Sequence, residues 1–208
     1  MSKKYLLGAS LGLILSAASA HAAPITTPPQ ELSAIGNVTA VYVFADAGNT
    51  SILNELTPAA IAQIFCNHST GGCTGANPGD TMALGVQNGV MTFSLHNTNT
   101  GSTFFSDLPD SDGNYHVKIS EDYSDFGQGA LPGAADTVIS GLISSGMTVT
   151  YIGWEDLAAD QGSDFDYNDL IFAFANTTTR KVPEPMTLSL MGAGVAGAAW
   201  ARRRKKKA

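Results

Sequence analysis

The chain has 208 residues, with 18 acidic side chains against 11 basic ones and a formal net charge of −7. The bases sit mostly at its two ends: between residues 23 and 179 Lys118 alone faces seventeen acids, which leaves that stretch at −16. A middle this acidic repels nucleic acid and anionic membrane surfaces, so neither is expected as its direct partner.

The N-terminus opens Met1-Ser2-Lys3-Lys4, runs apolar from Tyr5 to Ala18 and closes on Ala20-His21-Ala22. A basic start, a short apolar run and a small-x-small exit predict a secretory signal peptide over residues 1–22, cut after Ala22 or, as second choice, after Ala20. The run is short of the ~20 residues that span a bilayer. Residues 23–181 then have the length of one domain with its own core.

Within that domain Val38–Phe44 is dense in β-branched and aromatic residues and predicts a strand. Thr57-Pro58 begins the best helix candidate, Thr57 to Phe65, with Thr57 as cap and Ile61, Ile64 and Phe65 as anchors. Cys66 and Cys73 follow, separated by a Gly-rich spacer. An even count in an exported chain favours a disulfide; the rival is a metal site that adds His68. Thr81–Val86 and Val90–Leu95 flank Gln87-Asn88-Gly89 and predict a hairpin, because Asn-Gly supplies the positive φ of a tight turn. Tyr115–Ile119 alternates apolar and polar, and Met147–Trp154 and Leu170–Phe174 have the apolar density of buried strands. The fold expected is all-β, an antiparallel β-sandwich or jelly-roll-like domain.

The acids fall into two groups. Glu31, Asp46, Glu55, Asp80 and Asp136 are scattered and predict a solubilising surface. Most of the others crowd into two loops, with Lys118 the one cation among them, where carboxylates about 5 Å apart repel by about 3 kcal/mol at an effective dielectric near 20. One loop, Trp154 to Asp169, holds Glu155, Asp156, Asp160, Asp164, Asp166 and Asp169, with Asn168 between the last two. Carboxylates and amide oxygens suit calcium, which takes 6–8 hard oxygen ligands. The other loop places Asp110, Asp112, Asn114 and Glu121 at positions one, three, five and twelve of an EF-hand spacing, although Tyr115 stands where that loop needs glycine. The candidate calcium ligands are therefore Glu155, Asp156, Asp164, Asp166, Asn168 and Asp169 in one loop, and Asp110, Asp112, Asn114 and Glu121 in the other. The competing reading of each loop is a solvated turn whose Asp side chains cap backbone amides. His116 is read as a packed or hydrogen-bonding strand residue rather than a calcium ligand.

Glu155-Asp156-Leu157 followed by Asp164-Phe165-Asp166-Tyr167-Asn168-Asp169-Leu170-Ile171-Phe172 resembles the C-terminal hallmark of bacterial domain of unknown function 4114. Asp112-Gly113-x-x-His116 resembles that family's other short motif. The likeness spans residues 36 to 176, with the usual Gly-Gly run thinned to Gly162. The resemblance implies an extracellular β domain with calcium binding and no established reaction.

The C-terminal residues 182–208 carry Pro183-Glu184-Pro185, an uncharged segment from Met186 to Ala201, and six terminal cations, Arg202 to Lys207. The glycines at 192, 194 and 197 follow no strand, which favours helix packing in a membrane over nucleotide binding. The three parts together resemble the PEP-CTERM sorting signal of Gram-negative bacteria. That resemblance implies processing by exosortase and delivery to the cell surface or an exopolysaccharide matrix, with the tail a short hydrophobic helix in the inner membrane until then.

The function expected is a non-catalytic surface or matrix protein in which calcium neutralises the acidic loops, with exopolysaccharide as a partner. Tyr123, Phe126, Trp154 and Tyr167 are read as core residues first and sugar platforms second. The alternative is a secreted glycan hydrolase that uses Glu155 with Asp164 or Asp166 as its carboxylate pair. Between residues 23 and 181 no G-x-S-x-G, H-E-x-x-H or P-loop motif occurs.

Overall fold

The structure is a computed structural model that describes residues 22–182. The expected signal peptide and the sorting tail lie outside the described residues. Eight strands form one continuous antiparallel sheet: β1 (Glu31–Ala45), β2 (Ser51–Thr57), β3 (Phe65–Cys66), β4 (Thr81–Asn97), β5 (Thr103–Phe105), β6 (Val117–Ser120), β7 (Val149–Trp154) and β8 (Leu170–Arg180). Their order is β3-β2-β4-β1-β8-β7-β6, with β5 also paired to β4.

The long strand β4 folds this sheet over on itself. Its first part, Thr81 to Met91, pairs with β1, while its second part, Thr92 to Asn97, pairs with β2 and β5. The two halves face each other across a common core of Tyr42, Leu53, Phe93, Leu95, Phe104, Trp154, Phe172 and Phe174. This is the sandwich-like all-β fold that the sequence predicts.

The expected Asn88-Gly89 hairpin is not formed; one strand runs straight through it. Gly85 and Gly89 have φ of 76° and 97°, and the ladder with β1 slips between Val38 and Thr39. Positive φ at the two glycines is absorbed as local bends in a continuous strand rather than as a reversal. The helix expected over Thr57–Phe65 is also absent. Thr57 ends β2, and the chain loops back so that Ile64 N–H donates to the Leu53 carbonyl and Phe65 pairs with Leu53. Burial of Ile64 and Phe65 against the sheet overrides the weak local preference for helix.

Strand β7, the later part of β1 and the first part of β8 are buried on both faces. Ala40, Tyr42, Ile152, Trp154, Leu170, Phe172 and Phe174 point into the sandwich. Val41, Val43, Tyr151, Ile171 and Ala173 point to the opposite side. Such strands read as near-continuous apolar runs rather than alternations. The outer face is covered by helix α1 (Gly133–Ser144) through Ala135 and Ile139, and by a 3-10 turn at Tyr123–Phe126. Asp136 lies in the first turn of α1, where a carboxylate favours the helix dipole. A disulfide joins Cys66 and Cys73 with Cα atoms 6.3 Å apart, so these sulfurs are not metal ligands. Among the described residues no helix is long and apolar enough to cross a membrane.

The sheet has a polar end. There β1 finishes at Ala45 opposite Leu170, and β7 finishes at Trp154 opposite the same residue. Val117 of β6 pairs with Trp154, so the loops before β6 and between β7 and β8 emerge side by side. The far end holds the start of β1 and the finish of β8, where Glu31 pairs with Arg180.

Candidate metal centre

Glu155 is the first residue beyond β7 and is fully buried. Its N–H donates to the His116 carbonyl at 2.9 Å, which ties the two acidic loops together. Its carboxylate accepts from Ser163 Oγ at 2.6 Å and from Tyr167 N–H at 2.5 Å. Burial raises its pKa above the ordinary carboxylate range; these two hydrogen bonds pull it back, and Asp164 and Asp166 push it up again.

The loop reaches Glu155 through an unusual backbone. Phe165 and Tyr167 have φ of 56° and 61°, left-handed values that bulky residues seldom adopt. Their side chains nonetheless enter the outer core. Alternation around them leaves Asp164 and Asp166 on the Glu155 side, and carboxylate oxygens of the three residues lie within 4.8 Å of one another. Oxygens this close can share one ion with metal–oxygen bonds of about 2.4 Å. Each carboxylate oxygen keeps a free lone pair beyond its hydrogen bond, so Glu155 can still ligate.

Gly153 makes room for this arrangement. A Cβ at that position would collide with the Tyr167 carbonyl and the Phe126 ring. Strand β7 therefore carries no side chain where the loop backbone lies on the sheet. Gly153→Ala is expected to lower stability by about 3 kcal/mol in urea unfolding, because both obstacles are fixed by packing.

The predicted ligand set divides in two. Asn168 turns back on its neighbour: its N–H and Nδ2 donate to Asp166 at 3.1 and 2.5 Å. Asp169 faces Asp156 instead of Glu155's cluster. Its Oδ2 accepts the Asp156 N–H at 2.9 Å, and the two carboxyls are within hydrogen-bonding reach of each other. Asp156 is buried, accepts from Ser51 Oγ at 3.3 Å, and its carbonyl accepts from Asn97 Nδ2 at 2.7 Å. Burial, helped by the charges of Glu155, Asp156 and Asp164, pushes Asp169 up to about 8 against the Asp156 N–H hydrogen bond.

The second loop also departs from its predicted set. Asp110 and Asp112 turn inward, but Glu121 does not join them. Beyond the end of β6, it accepts from the N–H and Oγ1 of Thr179 at 3.0 and 2.9 Å. The strand Val117–Ser120 carries it away from the loop, as a helix in an EF-hand would not. Asn114 N–H donates to Asp112 Oδ1 at 2.8 Å, so it braces the turn. The third member of this cluster is His116, whose ring nitrogen lies with the carboxylate oxygens of Asp110 and Asp112 inside 4.8 Å. Its signal was in the sequence, as a histidine four residues after Asp112, at the start of an apolar strand.

Other expectations shift as well. Tyr123, Phe126, Trp154 and Tyr167 are all buried, so none offers a platform to a sugar. Glu55, expected on the surface, is buried and receives Gln87 Nε2 at 3.4 Å; burial raises its pKa. Lys118 is spent elsewhere, donating to the Asp125 carbonyl and lying 5.7 Å from the Phe126 ring centre. Among the described residues the only basic side chain within 4 Å of a carboxylate is that of His116, so no lysine or arginine neutralises either cluster.

Residues 181–205 match the PEP-CTERM protein-sorting motif, which includes Pro183, Glu184 and Pro185. PEP-CTERM motifs are recognised by exosortase, and the proteins that carry them are exported and held transiently in the membrane before sorting to the surface. The match is confined to the tail and does not extend into residues 36–176. No curated protein and no solved structure matches the chain.

Proposed function

We propose that this exported, exosortase-sorted chain displays a non-catalytic, calcium-binding β domain at the cell surface or in an extracellular matrix. The observation that carries the reading is the convergence of Glu155, Asp164 and Asp166 around one point with no cationic side chain nearby. Three carboxylates with backbone carbonyls and water make the hard-oxygen set that calcium prefers. The resemblance of the Glu155–Phe172 and Asp112–His116 blocks to domain of unknown function 4114 agrees with it.

Exopolysaccharide is the partner that fits the sorting route. A domain at −14 over residues 23–181 repels an anionic polysaccharide, so contact requires a shared cation. Asp164 is exposed, which leaves one side of the cluster open to an outside ligand. The decisive test is calorimetric titration of the chelator-treated full chain with calcium. Saturable binding that disappears in Asp164→Asn and Asp166→Asn is the expected result. Absence of any binding up to millimolar calcium rejects the proposal, because extracellular calcium modules bind in the range of about 0.1–1 mM.

A further inference from the structure

We infer that Asp110, Asp112 and His116 form a second metal centre, one that takes a zinc-class divalent transition metal rather than calcium. His116 is 1% exposed, and neither of its ring nitrogens has a hydrogen-bond partner. An imidazole buried in this way normally donates from one nitrogen and accepts at the other. Here Nε2 instead faces two acceptors: Asp112 Oδ2 at 3.4 Å and Asp110 Oδ2 at 3.9 Å.

A bound cation gives this unpartnered nitrogen and the two carboxylates beside it one common partner. Zinc bonds of about 2.0–2.1 Å in a tetrahedron set neighbouring ligand atoms about 3.3 Å apart, close to the Nε2–Asp112 separation. Small side-chain adjustment at Asp110 closes the third edge. The ligand chemistry selects the metal: imidazole nitrogen suits zinc, copper, iron and nickel, whereas calcium takes oxygen. Three protein ligands leave a fourth position for water or an outside ligand.

The surroundings fit such a centre. The imidazole is held between aromatic rings, with the Phe104 ring centre at 4.2 Å and that of Phe165 at 5.4 Å. Asn114 N–H fixes Asp112 through Oδ1, leaving Oδ2 free to ligate. The two carboxylates keep 27% and 21% exposure, and a cavity of about 170 Å³ lined by Phe104, Leu108, Asp110 and His116 supplies the entry path. Metal on Nε2 places the ring proton on Nδ1, the tautomer in which the outer nitrogen serves as donor.

This centre shares no ligand with the calcium cluster, so the two can be tested separately. The chelator-treated full chain is titrated with zinc in a calorimeter in the presence of excess calcium. The cobalt form is then examined for the visible absorption of a low-coordinate site. One zinc per chain is expected, weakened at least tenfold in Asp112→Asn and lost in His116→Ala, with Asp164→Asn unchanged. Asp110 and Asp112 lie in a surface loop, so Asp112→Asn and Asp110→Asn report on the site even if His116→Ala fails to fold. No zinc binding, or zinc binding unaltered in both aspartate variants, overturns the inference. So does displacement of zinc by excess calcium, which marks a hard-oxygen site.

Discussion

In a calcium chelator, raising the pH from about 4 to about 8 is expected to destabilise the domain by on the order of 5 kcal/mol. The largest contributor is Asp169, whose ordinary pKa of 3.8 is pushed up to about 8 by burial and by its acidic neighbours. Across that window the folded chain keeps a proton that the unfolded chain has released, so unfolding stability falls as pH rises. The contribution is complete below about pH 4 and gone above about pH 8. Asp156, Glu155 and Asp166, each raised chiefly by burial, act with the same sign. Asp112 acts oppositely: burial alone would raise it, but hydrogen bonds from Asn114 and the nearby His116 hold its carboxyl below the ordinary range. Its effect falls at acid pH, outside the window; His116, whose pKa is lowered chiefly by burial, adds stability as pH rises within it and offsets part of the fall. Urea unfolding at several pH values in chelator measures the slope, and a stability that climbs between pH 4 and 8 refutes it. Calcium at the Glu155 cluster takes the place of the protons on Glu155 and Asp166 but not of the one on Asp169, so it is expected to make the same curve shallower without flattening it.

At a calcium concentration about a hundred times its dissociation constant, the gain is about 2.7 kcal/mol. For a domain of this size that raises the melting temperature by about 5–10 °C. Glu155→Gln separates the cation effect from the packing effect. The amide keeps an oxygen for Tyr167 N–H and turns its NH₂ toward Ser163 Oγ, so both hydrogen bonds of the buried side chain survive. Removing a buried negative charge from an acidic cluster leaves the variant no less stable than the parent in chelator. Its calcium-induced shift is expected to vanish. A full shift in Glu155→Gln places the ion elsewhere.

The legible parts of this fold were its doubly buried strands. Met147–Trp154 and Leu170–Phe174 read as apolar runs because both faces are covered, and they became β7 and β8. Helix α1 was missed although Ala135, Val138, Ile139 and Leu142 have helical spacing. Its two glycines and the preceding proline conceal it, and its stability comes from docking on the sheet. Asn88-Gly89 misled in the opposite sense: the dipeptide permits a reversal, but pairing with β1 on a straight course satisfies more of the backbone. The acidic clusters were legible as composition and not as geometry. Local alternation grouped Asp164 with Asp166, but the left-handed turns at Phe165 and Tyr167 that separate Asp169 from them depend on Gly153, in another strand. The EF-hand spacing enlisted Glu121, whereas the true third member of its loop was the histidine that the spacing had passed over.

Strand β8 begins at Leu170 beside the acidic loops and ends at Arg180, and only residues 181–185 separate it from the hydrophobic segment of the sorting tail. Ten residue steps of extended chain cover about 33 Å. That is about four Debye lengths at physiological ionic strength, enough for the potential of an anionic lipid headgroup layer at one end of the strand to fade before the other. Any cation bound at the acidic end would then be drawn from the surrounding medium rather than from the ions concentrated at the bilayer.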